Sequence, residues 1–361
     1  MHKKIAIIIG IFLLIFFGKV IITTLSLSPF FFQLFFNQEI NLKKTQDRVN
    51  VLLLGVGGGV HDGPYLTDTI IFASLDPKNN KVTLVSIPRD LWIVDLDGRI
   101  NTAYSNAEYK KKGGGVIVSS AVVNKVIQQP VDYVVRIDFS GFVKAVDLLG
   151  GINVNVENEL DDLQYPLDGK ESDSCGHTDP ELQELATASS QLEAFPCRYK
   201  HIHFSKGIQQ MNGEEALEFV RSRHAKGDEG SDFARSKRQE EIIKAIKDKI
   251  FSLNFLINPS KLVDLYNVLR SSIDTNIKED EFDDFLKLAS KMKQSKIESA
   301  VLDYGDDNTN RPGLLFHPDI STKYNNEWVL IPRLGNNNFS EIQKYIDCEI
   351  KIGNCTISSS Y

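Results

Sequence analysis

Runs and periods of apolar residues divide the chain into stretches of different kinds. Ile5 to Phe17 is apolar apart from Gly10, and after Gly18-Lys19 the run resumes as far as Leu27. About 20 mostly apolar residues cross a bilayer, so Ile5–Leu27 predicts a single membrane span in which Lys19 snorkels. His2, Lys3 and Lys4 precede it, which keeps the N-terminus cytoplasmic and the bulk of the chain outside. A cleavable signal peptide is the competing reading, but no small-x-small site follows the first run, and Pro29 to Phe36 adds an interfacial aromatic stretch.

After a polar linker over 37–47, Val51 to Leu54 reads as a buried strand running into a glycine loop. Val60 stands where a dinucleotide fingerprint needs its third glycine, and no Walker lysine follows. Leu66–Leu75 and Lys81–Trp92 predict two strands joined at Asp76-Pro-Lys-Asn-Asn80, and Arg99–Tyr104 starts a helix. Gly113–Ile127 has helical length and spacing, Val131–Ile137 is a strand, Phe139–Leu149 is a helix ended by two glycines, and Ile152–Val156 alternates strictly. This succession predicts a layered α/β domain over 48–253, interrupted by a polar insertion at 157–200 and closed by helices at Asn212–Val220 and Gln239–Ser252. Beyond it, 254–361 reads as a small α+β accessory region with a strand at Trp328–Arg333 and a helix at Phe339–Ile350.

Composition narrows the partners. With 361 residues, 42% of them hydrophobic, the chain can bury a sizeable core. A formal net charge of -7 argues against a nucleic-acid protein, which needs a broadly basic surface, so any anion binding is local. Cys175 and Cys197 bracket part of the insertion, and Cys348 and Cys355 bracket a C-terminal loop; outside the cytoplasm each pair is expected to close as a disulfide. His177, His201 and His203 lie near the first pair, but no CxxC or HExxH spacing argues for zinc.

The local anion site falls in Phe219–Gln239, the most cation-dense segment. Arg221 and Arg223 are two apart, Arg235, Arg238 and Gln239 share one helical face, and Asp232 can cap the helix they stand on. Guanidinium forks near a helix N-terminus suit phosphate oxygens, whereas a mixed charge run is otherwise a solvated face. Asp68 opens one strand and Arg89-Asp90 closes the next, where an open sheet keeps its site, with Arg99 as a further basic group near the loop. Taken alone, Asp68 reads equally as a turn cap.

These blocks together resemble the LytR-CpsA-Psr family: Leu52–Gly55, Thr67–Ile70, Ser86–Asp90, Arg99–Tyr104, Gly150–Ile152, Gly207–Gly213, Ala216-Leu217, Val220–His224 and Asp232–Gln239, in order over roughly 48–253. The resemblance implies a membrane-anchored, outward-facing phosphotransferase with a three-layer α/β/α domain around a mostly mixed sheet. Such an enzyme moves a glycopolymer from a polyprenyl-pyrophosphate carrier onto an envelope acceptor, commonly peptidoglycan. By position Arg89, Arg221, Arg223, Arg235 and Gln239 match the residues that hold the pyrophosphate, and Asp68 matches one of two magnesium-associated aspartates.

The chain departs from the family pattern at two places. The second aspartate follows the strand as Leu-Gly-x-Asp, and here that place is Gly57; Asp62, across the glycine loop, is the residue that could substitute. Leu66 and Thr67 stand where an arginine commonly precedes Asp68. Asp62 or Asp90 could accept the acceptor's proton, Asp90 serving equally as a structural partner of an arginine. A hydrophobic slot for the prenyl tail is expected among Val116–Leu149, most of whose side chains are core. Loss of the aspartate at position 57 leaves a carrier-binding module, or a hydrolase using water as acceptor, as alternatives.

Overall fold

The computed structural model describes residues 39–59, 63–185, 188, 190–250, 264–265, 267–268, 270, 272–306 and 311–357. The expected membrane span and Asp62 lie outside the described residues; among those described, no helix is long and apolar enough to cross a membrane. The chain divides into two units, one of 44–276 with 293–361, the other of 1–43 with 277–292.

The larger unit is a mixed α/β fold on a six-stranded sheet. Strand β1 (Val49–Val56) is central: it pairs antiparallel with β2 (Thr67–Asp76) and parallel with β6 (Tyr133–Asp138). Its run of Val and Leu is covered on both faces, as the unbroken apolar sequence requires. β2 turns into β3 (Lys81–Ser86) at the predicted place, where Asp76 Oδ1 accepts from the amides of Lys78 and Asn79 at 3.0 and 2.9 Å and Arg48 pairs with its other oxygen at 2.7 Å. Two-residue strands β4 (Trp92–Ile93) and β5 (Gly98–Arg99) follow, so the second predicted strand ends earlier than Trp92 and Arg99 precedes its helix.

The tail supplies both edges of this sheet. β11 (Ile273–Thr275) lies antiparallel beside β6, and β12 (Lys296–Val301) lies parallel beside β3, giving the order β11-β6-β1-β2-β3-β12. Residues beyond 254 therefore build the domain's own sheet. The expected strand at Trp328–Arg333 shrinks to Ile331–Pro332.

One face of the sheet packs the helices α1 (Thr102–Lys110) and α2 (Gly114–Ile127) with the C-terminal helix Ser340–Lys351, burying Leu52, Phe72, Tyr104, Val123, Ile127 and Ile346 together. Those α2 side chains are core. On the other face Ile71, Ala73 and Leu84 meet Ile243. A second core joins α3 (Phe139–Leu148), β7 (Ile152–Val156), and the hairpin of β8 (Leu160–Pro166) with β9 (Tyr199–Phe204) to β10 (Gly207–Met211) and later helices. Leu160, Tyr165, Ile202 and Phe204 are buried there, so the insertion is anchored at both ends. Between β8 and β9 run the short helices α4 (Asp179–Leu185) and α5 (Gln191–Ala194), closed by the Cys175–Cys197 disulfide; Cys348–Cys355 is also formed.

Helix α6 (Gly213–Arg221) begins with a full capping box between Asn212 and Glu215. Gly213 is obligatory there, since a Cβ would meet the carbonyl oxygen of Val143 at 2.3 Å. A 3-10 turn over Gly227–Gly230 leads into α7 (Asp232–Ile250), one continuous helix. Ser231, not Asp232, caps it: its Oγ accepts from Ala234 N at 3.1 Å, while Asp232 is already inside the first turn.

In the smaller unit α8 (Phe282–Lys291) buries Lys287 between Asp283 and Asp284, each 3.0 Å away, and its ammonium also reaches the carbonyl of Glu39 at 3.4 Å.

Candidate active site

A cavity of about 180 Å³, roughly six water volumes, opens beside the C-terminal end of β1, between the start of β2 and the junction of α6 with α7. Asp68, Arg89, Arg221, Arg223, Arg235 and Gln239 line it. They reach it from separate elements. Asp68 stands on β2 beside the register shift at Gly55–Val56, Arg89 follows β3, Arg221 ends α6, and Arg235 and Gln239 lie one turn apart on α7.

Their partners differ. Arg89 pairs with Asp68 and lies 3.4 Å from Asp90; burial pulls this guanidinium's pKa down, but the two carboxylates outweigh burial and hold it above the ordinary value. Arg221 is gripped through both terminal nitrogens by Asp168 at 2.9 and 2.9 Å, donates to Tyr165 Oη at 3.2 Å, and stacks over the Phe139 ring at 4.4 Å. Arg235 pairs with Asp232 at 2.8 Å, and Gln239 Nε2 donates to Thr69 Oγ1 at 3.2 Å.

Arg223 stands apart. Among the described residues no hydrogen bond or ion pair reaches its guanidinium. Burial lowers its pKa to about 10, and the neighbouring charges of Arg235 and Arg89 push the same way. An arginine that disfavours its own charge is a place prepared for an incoming anion.

Two expected anion ligands are elsewhere. Arg99 is engaged by Asp90 at 3.0 Å and Glu327 at 2.9 Å, outside the cavity. Asp90 thus joins Arg89 and Arg99 as a structural partner. Arg238 is only 4% exposed and donates to the carbonyls of Phe219, Ser222 and Glu229, each at 2.8 Å, and to the Glu229 carboxylate at 2.9 Å. It fastens the end of α6 and the following turn to α7. At 100° per residue Arg238 and Gln239 diverge about the helix, so the pair Arg235 and Gln239 shares the cavity and Arg238 does not.

Phe139, Asp168, Tyr165 and His224 complete or support the site without having been marked by sequence. Phe139, at the first position after a strand, carried a weak signal; Asp168 lies in the polar insertion, where spacing carries none.

Among the described residues Asp68 is the single carboxylate lining the cavity. One carboxylate with phosphate oxygens from substrate is a donor set that suits Mg²⁺. At the other family position Gly57 leads into Gly58, which has φ +69 and lies where a Cβ would meet Asp138 Cβ at 2.9 Å, so this loop is shaped for glycine. A larger cavity of about 860 Å³ has Glu157, Asp228, Glu229, Asp232, Glu241 and Asp303 on its wall against Lys237, Arg238 and Arg311, an acidic excess that suits a diphosphate less well than the smaller cavity.

The architecture has counterparts among known proteins. The polyisoprenyl-teichoic acid–peptidoglycan teichoic acid transferase TagU of Bacillus cereus is 30% identical over 251 residues, covering 69% of this chain and 67% of that protein. TagV of Bacillus subtilis, which bears the same activity in its name, is 30% identical over 249 residues, covering 67% of this chain and 52% of its own length. The chain thus spans two thirds of one relative and about half of the other. The crystal structure of B. subtilis TagV superposes with a TM-score of 0.54 at 25% identity, over 85% of this chain and 98% of that one. The sequence profile of the LytR_cpsA_psr family matches residues 33–321, from before β1 to beyond β12, and the chain belongs to that family.

Proposed function

We propose that this protein transfers a glycopolymer from a polyprenyl-pyrophosphate carrier to a cell-wall acceptor, peptidoglycan being the acceptor in its relatives' names. The observation that carries this reading is the convergence of Arg89, Arg221, Arg223, Arg235 and Gln239 on one small cavity. A diphosphate seated there meets Arg223 first, because that guanidinium has no protein partner to give up among the described residues. Phe139, Pro166 and Val220, also on the wall, receive the start of the prenyl chain.

An acceptor hydroxyl then attacks the sugar-side phosphorus. A new P–O bond forms, the bridging P–O bond breaks, and polyprenyl phosphate leaves with the bonding electrons. Negative charge gathers on the bridging and equatorial oxygens, where fixed guanidinium groups stabilise it more than they do the ground state. The hydroxyl proton passes to a carboxylate, a role we assign to Asp62. Mg²⁺ held by Asp68, with Asp62 as a second carboxylate, would add positive charge at the phosphoryl oxygens. The apolar run Ile5–Leu27, preceded by His2, Lys3 and Lys4, supports a reading in which the chain is anchored with its N-terminus in the cytoplasm and this unit acts outside the cell membrane.

Full-length protein in detergent, given a polyprenyl-pyrophosphate-linked sugar, Mg²⁺ and peptidoglycan fragments, should release polyprenyl phosphate only when acceptor is present. Gly57 favours one alternative, a binding module; tight binding with no release under any acceptor would establish it. Release without acceptor would make the protein a hydrolase.

A further inference from the structure

On the β8–β9 ribbon, Asp161 faces His203 across the register, and His201, two residues along β9, leaves from the same face. Their donor atoms converge. Asp161 Oδ1 lies 2.5 Å from His201 Nε2 and 3.5 Å from His203 Nδ1, and one donor atom from each residue falls within 4.8 Å of the others. Lys226 Nζ takes the second carboxylate oxygen, Oδ2, at 2.6 Å, which leaves Oδ1 turned to the imidazoles. Glu159 stands 3.9 Å from His203 Nδ1.

A surface ion pair needs one histidine, and this cluster has two on one carboxylate. Two imidazoles and a carboxylate form a donor set for a divalent transition metal. Donors about 2.1 Å from a tetrahedral zinc lie roughly 3.4 Å apart, so the observed separations close on such an ion by small side-chain rotations. Lys226 supplies the outer hydrogen bond that orients a ligating carboxylate. His201 and His203 form a local His-x-His pair on β9, but the carboxylate comes from the paired strand β8, so sequence spacing alone does not reveal the set.

The neighbouring residue links this cluster to the cavity. Asp162, fully buried, accepts from Ser222 Oγ at 2.7 Å and from His224 N at 3.2 Å, and Lys226 N donates to Asp161 O at 3.0 Å. The segment 222–226, which carries Arg223, is therefore buttoned to β8 at Asp161 and Asp162. We propose that Asp161, His201 and His203 form a binding site for a zinc-type divalent metal, completed by Glu159 or water, and that its occupancy stiffens the connecting segment that holds Arg223. The second half of this proposal rests on reading the cavity as a diphosphate site; the first half does not.

Untagged, chelator-stripped full-length protein titrated with Zn²⁺ in a calorimeter should bind one equivalent. Affinity should fall at least about tenfold in His203→Ala and in the milder His203→Gln, and stay unchanged in His177→Ala, whose imidazole bonds to Ala194 O instead. No binding, or equal binding by both His203 variants and the parent, overturns the metal site. Inorganic pyrophosphate titrated with and without Zn²⁺ should then bind about threefold tighter with the metal in the parent and not in His203→Ala, a comparison that cancels zinc–pyrophosphate pairing in solution. Equal affinity in the parent overturns the coupling alone. Failure of pyrophosphate to bind at all overturns the diphosphate reading and leaves the metal titration standing.

Discussion

Asp168 closes both arms of the Arg221 guanidinium, at 2.9 and 2.9 Å, from 53 residues earlier in the chain. The arms it occupies are those a phosphate would use, so the carboxylate competes with an anion for this arginine. Asp168→Asn should bind inorganic pyrophosphate about three- to tenfold tighter, equivalent to about 1 kcal/mol, measured by calorimetry at low salt. Weaker binding would mean that Asp168 positions the fork and does not compete for it.

Arg223 carries the opposite expectation for stability. Its folded pKa is lowered to about 10 by burial, with Arg235 and Arg89 adding to it. At pH 7, below both folded and unfolded values, the unfavourable charge is fully present; it fades as pH climbs above about 10. Arg223→Met should therefore keep or raise the melting temperature near pH 7 while losing pyrophosphate affinity by about tenfold or more. A lower melting temperature with intact binding would sink the idea of a pre-charged anion seat.

For Arg238 the order reverses. Removing its side chain leaves three backbone carbonyls and Glu229 without their donor in a buried place, a loss of about 3–5 kcal/mol. Arg238→Ala should lose stability in denaturant melts, with activity falling only as folding does. Arg221→Ala and Arg235→Ala should do the converse, losing activity with a small change in melting temperature.

Asp68 is assigned both to Arg89 and to Mg²⁺. In Asp68→Asn, release of polyprenyl phosphate should fall by about a hundredfold or more and no longer rise with Mg²⁺ concentration. Retained Mg²⁺ dependence in this variant, together with its loss in Asp62→Ala, would move the ion to Asp62. If neither substitution alters turnover, a carboxylate-held metal has no part in the reaction.

The central strands were legible because β1 is an unbroken apolar run and β2 and β3 meet at a turn with its own hydrogen-bonding residue, Asp76. The cavity residues were legible as ordered blocks around strand ends. Charge alone could not separate Arg235 from Arg238, since burial is decided by the carbonyls at the end of α6 that only the fold brings to it. β11 has three residues, too few for alternation to register, and β12 lies in a Lys-rich stretch that reads as surface. Asp168 reaches Arg221 through the anchored insertion, a contact with no sequence spacing to betray it.

That both sheet edges come from the tail bears on how the protein is made. As the chain emerges from its N-terminus, β1, β2, β3 and β6 can assemble early, but they present two bare edges until β11 has been delivered and one, beside β3, until residue 301 has followed. A chain stopped near residue 254 carries a sheet open on both sides, a template for pairing with its own copies. Completion of the cavity's scaffold is thereby tied to the arrival of the tail: the last strand of this sheet to arrive seals the first hairpin to form.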